Sequence, residues 1–305
     1  MGFVFGISAA AVFGLSAVLN RIGMRTRPDD DGLFMTVTLN VLVLGVPILF
    51  LGLPRLTTVG LAAFAAGGLA GTYLGRFTNL KAIRRVGPSR ANAFLTSSPI
   101  VSAVLGWMLL GETVAPLAAV GAALVLMGLR LVVGSRMSTE TVVVPNTPQR
   151  PEKAPSSPDK SGYLWAALAP LFFGSAFVFR KLGMNAIPDV LVGAFVGALT
   201  AIVAIIIFDL AKDRISLRIR DNFRNVPWWF VGAGLGTSAA LILQFLAYFE
   251  LPAWTVSLLQ GTQAMWTLVW SFLFLRREER LSWRLAAGII LVVGGVSIIT
   301  VQGTG

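Results

Sequence analysis

Apolar residues along this chain gather into ten long stretches, each set off by a short polar or basic cluster. The stretches span 3–19, 33–53, 59–80, 91–110 and 116–133, then 162–179, 190–210, 228–249, 253–275 and 283–301. Runs of roughly 17–25 apolar residues match what an α-helix needs to cross a hydrocarbon core about 30 Å thick. The pattern predicts ten membrane-spanning helices, five on each side of a segment of different character. That segment, 135–161, is rich in Pro, Ser and charge. Such a composition buries no core, so it reads as a flexible linker between the halves 1–134 and 162–305. The first stretch lacks a basic leader and a small-residue cleavage site, and a copy of it opens the second half, so it reads as a retained span.

The copy is explicit. FGLSAVLNRIGM at 13–24 returns as FGSAFVFRKLGM at 173–184, a shift of 160 that puts Gly14 on Gly174, Arg21 on Lys181 and Gly23 on Gly183. Five is an odd number of crossings, so the second half must enter the membrane from the opposite face. The predicted fold class is therefore all-α integral membrane, ten helices as two inverted five-helix repeats. Repeats of this kind are a common construction of secondary transporters, whose site lies at mid-membrane between the halves.

Composition supports the bilayer and narrows the chemistry. Hydrophobic residues make up 55% of the chain and charged ones 13%, and the mean hydropathy is +0.77, too apolar to clothe a soluble globule of this size. With no Cys and no His, disulfides, thiol chemistry and the commonest general base and metal ligand are absent. No cofactor, metal or catalytic constellation is expected, and the chain does not read as an enzyme. The net charge of +11 lies in scattered loop clusters without a basic face, so nucleic acid is not an expected partner. Membrane lipid and a small-molecule substrate are.

Those clusters set orientation. Of the 25 Lys and Arg residues, Arg55, Arg180 and Lys181 fall in connections on one side and Arg76 within a span; all the others fall on the opposite side. Short basic connections stay in the cytoplasm. The linker is expected there and both termini outside, in the plasma membrane of a prokaryote.

Polar residues within the spans are the candidate substrate contacts. A shift of 165 pairs Gly67, Gly71 and Gly75 with Gly232, Gly236 and Ala240, and also pairs Thr72 with Thr237 and Asn79 with Gln244. The small stripes let helices approach, and at 100° per residue the polar pairs lie about a third of a turn away. A shift of 164 pairs Thr96 with Gln260. Asn92, Thr96 and Pro99 share one face of the fourth span, and Gln260, Gln263 and Thr267 one face of the ninth. These amides and hydroxyls suit either a polar solute or interhelical hydrogen bonds. Pro99 either frees a backbone carbonyl for substrate or serves packing alone. Arg76, with Leu241 opposite it, either faces the cavity and an anionic or zwitterionic substrate, or snorkels toward the interface near Lys81.

The segments NLKAIRRVGPSRANAFLTSSPIVSAVLGWMLLGETVAPLAAVGAALVLMGL and FLAYFELPAWTVSLLQGTQAMWTLVWSFLFLRREERLSWRLAAGIILVVGGVSII resemble the two EamA-type repeats of the drug/metabolite transporter superfamily. Glu112, Gly121 and Gly128 match Glu279, Gly288 and Gly295 at a shift of 167, although the second half reads LRREE where the pattern has LGE. The resemblance implies a ten-helix transporter with a central cavity lined mainly by spans one, three, four, six, eight and nine. The spans hold acidic groups only near their ends, as Glu112, Asp209 and Glu250, while proton-coupled carriers bury a carboxylate in the pathway. The expectation is export or exchange of polar metabolites, amino acids among them, by alternating access. Proton-coupled drug efflux and a flippase for lipid-linked head groups are the alternatives. Glu112 and Glu279 sit at helix junctions, where a carboxylate suits a helix start.

The charge bias makes a direct prediction. A reporter fused after Gly305 should behave as exported and one placed in the linker as cytoplasmic; the reverse pattern overturns the orientation.

Overall fold

The computed structural model describes residues 1–26, 32–136, 160–211, 228–275 and 283–302. Among these the regular elements are all helices, as lipid demands of a backbone that has no water to bond. In the first half they are α1 (Gly2–Thr26), α2 (Leu33–Leu51), α3 (Thr58–Gly67), a wider π-type segment Gly68–Gly75, α4 (Arg76–Leu95), α5 (Ser98–Leu110) and α6 (Pro116–Arg136). The second half adds α7 (Lys160–Ala186), α8 (Val190–Leu210), α9 (Trp228–Ala247), α10 (Ala253–Gly261), α11 (Gln263–Leu275) and α12 (Trp283–Gln302). Six helical stretches are long and apolar enough to cross a membrane, Thr58–Ala82 among them, and Ser98–Leu110, Pro116–Leu131 and Ala287–Thr300 are shorter apolar helices. Most of the expected linker, together with Glu279 and the basic clusters at 212–224 and 276–280, lies outside the described residues.

The surface is greasy and the interior small. Leu49 and Phe50 are 82% and 85% exposed, whereas Ala10, Ala166, Ala169 and Ala233 are fully buried. Lipid is as apolar as Leu, so helices gain little by hiding large side chains from it; they associate where small residues let backbones meet. A side chain at Gly71 would press on Ala176 of α7, and one at Gly236 on Ser16 of α1. Gly174 of α7 lies against Ser98 and Val101 of α5, and Gly14 of α1 against Trp266 and Thr267 of α11. α6 and α12 cross with Gly121 on the Gly295 carbonyl and Gly128 on that of Gly288. Larger side chains fill the space around these crossings, with Phe64, Phe245 and Tyr248 meeting edge to face at 5.9 and 5.8 Å.

The helix breaks differ from those the apolar runs predict. Between the third and fourth runs the backbone stays helical through Pro88 to Leu95, and the interruption comes later, at Thr96–Ser97. Pro99 stands in the first turn of α5. There its missing N–H costs nothing, so it starts a helix and does not puncture one. The ninth run is likewise two helices, α10 and α11, parted at Thr262, whose hydroxyl turns back to the Leu259 carbonyl at 2.6 Å. A side-chain donor competing for a backbone acceptor favours such a break. Segment Gly68–Gly75 winds more widely than an α-helix, so a constant 100° step misplaces residues beyond it. The sixth run also ends late. α7 continues past Phe179 to Ala186, and Arg180 and Lys181 are in a helix, not a connection.

Packing at the glycines grades the cost of a methyl group. At Gly68 it would strike the Gly197 backbone, whereas at Gly232 it meets only Leu19 Cδ1 at 3.4 Å. Gly68→Ala should therefore destabilise the protein by about 1–3 kcal/mol, as overpacking does, and Gly232→Ala should be near neutral. Thermal unfolding in detergent reads the difference, and equal effects would place the contact between the π-type segment and α8 wrongly.

Candidate functional site

α7 carries a guanidinium into the helical interior. Arg180 lies six residues from the end of α7, against Gly67 and Gly71 in the third run, because only glycine leaves room there for its stem. Its Nη1 donates to Gln244 Oε1 on α9 at 3.0 Å. Gln244 Nε2 in turn points at Gln260 Oε1 on α10 at 3.5 Å, the outer limit of a hydrogen bond. Gln260 Nε2 donates to Gln263 Oε1 at 2.9 Å across the α10–α11 break. Finally Gln263 Nε2 points to the Phe13 carbonyl of α1 at 3.4 Å. One polar chain thus links α7, α9, both pieces of the ninth run and α1. Arginine cannot accept, so it orients every amide below it. Each glutamine keeps a second N–H and a second lone pair beyond the chain, enough to hold a polar solute.

Among the other predicted contacts, two hydroxyls turn to the backbone. Thr237 and Thr267 donate to their own helices, to the Ala233 and Gln263 carbonyls, both at 2.7 Å. Thr72 falls in the π-type segment, and Thr96 in the turn that separates α4 from α5. Asn79 is partly buried, with Oδ1 unpartnered. The Asn92 side chain lies outside the described residues. Arg76 begins α4 beyond the wide segment. Next to it Phe77 belongs to an aromatic group with Tyr73, Trp165 and Phe208, and Lys81 Nζ sits 4.5 and 4.4 Å above the Phe77 and Trp165 rings. Sequence reasoning missed Arg180 because the apolar run stops one residue before it. The repeat match, which continues to Met184, is the signal that places it inside a helix.

A second cluster closes one end of the molecule. Gly111, at φ 66°, ends α5 in the left-handed conformation, and the Glu112 N–H bonds back to the Gly106 carbonyl at 3.1 Å. This left-handed turn throws the Glu112 side chain back toward Gly106. Its Oε1 accepts from the Ala253 N–H at 2.7 Å, capping α10, whose N-cap Pro252 has no side chain able to do so. Glu250 does the same for α1, accepting from the Gly2 N–H at 2.6 Å, and that bond holds its carboxyl below the usual range. Lys181 Nζ donates to the Tyr248 carbonyl between these two caps. Burial raises the Glu112 carboxyl, against the lowering effects of the Ala253 N–H and the Lys181 ammonium.

Elsewhere, a groove of about 470 Å³ between α5 and α7 is lined by Ile100, Val101, Val104, Leu105, Leu171, Phe172 and Ser175. Such a lining suits acyl chains better than a polar solute.

The raised Glu112 carboxyl links stability to pH. Its protonated form is favoured by folding, so its contribution is present below the ordinary value of 4.5 and is lost as pH rises through the raised one. Glu112→Gln keeps an acceptor for Ala253 and removes the titration. Relative to that variant, the wild-type unfolding temperature should climb as pH falls from neutral toward 4.5; a difference independent of pH would overturn the assignment.

With this geometry in hand, comparison with known proteins is informative. The EamA-like transporter family matches residues 1–134 and 160–301. A protein of known crystal structure superposes with a TM-score of 0.68 at 18% identity, covering 99% of this chain and 98% of its own, a likeness of fold alone. A search of curated proteins finds no match. Both halves of the chain, and nearly all of its length, belong to the EamA-like transporter family, a membrane transporter family of the drug/metabolite superfamily.

Proposed function

We propose that this protein is a secondary transporter that moves small polar metabolites across the plasma membrane of a prokaryote by alternating access, in export or exchange. The observation that carries the reading is the hydrogen-bonded run Arg180, Gln244, Gln260 and Gln263 to Phe13. Neutral amides along a helix junction offer donors and acceptors to a solute without binding it so tightly that it cannot leave. The discontinuous helices at Thr96–Ser97 and Thr262 supply the kind of interrupted backbone that transporters place at the substrate site.

Ten spans in two inverted repeats, with a cytoplasmic linker, complete this reading. The paired contacts support it: Gly71 on Ala176 parallels Gly236 on Ser16, and Gly174 on α5 parallels Gly14 on α11. The crossed contacts of Gly121 with Gly295 and Gly128 with Gly288 are what a two-fold axis in the membrane plane produces. Alternating access then amounts to each half taking the conformation of the other. The apolar groove between α5 and α7 favours the second reading, a lipid flippase, but it does not contain the amide chain.

Counterflow of a mixture of labelled amino acids and hydroxy acids in proteoliposomes tests the reading. Gln260→Leu, which leaves the Gln244 amide without its acceptor, should cut flux about tenfold, the effect of orphaning one buried amide. Lipid movement with no solute flux, or full flux in correctly inserted Gln260→Leu, would overturn it.

A further inference from the structure

We infer that Arg180 and Tyr248 together bind the carboxylate of a small monoanionic or zwitterionic solute. The inference deepens the proposed function and rests on the same polar chain. Arg180 is partly buried within α7, and the side-chain hydrogen bond its guanidinium donates goes to the neutral Gln244. Among the described residues no carboxylate lies within ion-pair distance of it. A charge in a membrane interior is held by a counter-charge, by water or by a ligand. Beside it, Tyr248 is 1% exposed, its hydroxyl oxygen lies against the Arg180 guanidinium, and its O–H has no acceptor among the described residues, an arrangement that costs stability unless something accepts from it. Two donors of different chemistry, one charged and one neutral, thus converge on one region between α7 and the end of α9.

The shape and charge of the ligand follow. Arg180 lies against Gly67 and Gly71 of the third run, and its guanidinium is a planar fork that suits a planar oxyanion. One positive charge among neutral amides is balanced by one negative charge. A dianion such as phosphate would leave a net charge in a low-dielectric site, which is costly. Lys181, one residue on, is turned away to the Tyr248 carbonyl and faces Glu112, so it does not add to the fork. Past the carboxylate, the spare lone pairs of Gln244 and Gln260 accept from a hydroxyl or an ammonium group. No acidic side chain takes part in this run of bonds, so the site requires the carboxylate and merely tolerates an amine.

Thermal unfolding of the purified full-length protein in detergent, with acid and amide pairs as probes, tests this. Lactate and glycine should stabilise it, lactamide and glycinamide should not, and inorganic phosphate should have little effect. Arg180→Gln should weaken the carboxylate response about tenfold or more, the worth of a charge-assisted hydrogen bond, Arg180→Lys less, and Tyr248→Phe by a few-fold. Should Arg180→Gln not fold, Tyr248→Phe and the acid and amide pairs on wild-type protein decide. Equal stabilisation by amides and acids, no response to any acid, a preference for phosphate, or an unchanged response in folded Arg180→Gln overturns the inference. Flux assays separate it from the wider reading. Neutral solutes carried normally by Arg180→Gln sink the carboxylate and leave a transporter, whereas Arg180-dependent binding without flux sinks the transporter and leaves the site.

Discussion

A helix in lipid has no hydrophobic reason to prefer another helix over an acyl chain, and this constraint organises the whole protein. Association must come from backbones that approach closely and from polar groups that find one another. Both appear at the same places. The glycines at 67 and 71 bring the third run onto α7, and the space they leave is where Arg180 lies. Removing side-chain bulk therefore does two things at once: it joins the helices and admits a charge between them. On α2 and α9 the pairing is purely structural, with Asn40 and Ser238 bonded at 2.9 Å deep in the interior.

The two carboxylates that hold helix ends share one logic. Glu112 and Glu250 each accept from the first free N–H of a helix far away in the chain, satisfying donors that a helix start leaves open. Each such bond also sets the angle at which one connection meets another helix. The left-handed turn at Gly111 is what aims Glu112, so the glycine and the glutamate of this junction form one device, the first bending the chain and the second latching it.

Much of the architecture was legible in the sequence because its signals are local. Apolar run length marks the helices that are long enough to cross a membrane, and FG and GM pairs recur at 13–24 and 173–184. Gln244, Gln260 and Gln263 were legible too, as amides that have no reason to sit in a span unless bonded. Arg180 was hidden by that same reasoning: a charged residue at the edge of an apolar run looks like the start of a connection, and hydropathy alone gives no weight to the repeat match that runs on past it. Arg76 is placed less directly by its sequence. Its place on a helical wheel assumed uniform winding, and Gly68–Gly75 is not uniformly wound. The breaks at Thr96–Ser97 and Thr262 depend on side-chain bonds to the backbone, which hydropathy does not register.

The one-way order of the amide chain has a consequence for how distant helices communicate. Because a guanidinium only donates, no glutamine in the series can turn over alone without setting oxygen against oxygen or N–H against N–H. The orientation of Gln263 beside α1 is therefore fixed by a charge on α7, with no helix needing to shift. A charge on α7 is in this way expressed as bond polarity beside α1, a coupling made of side chains alone.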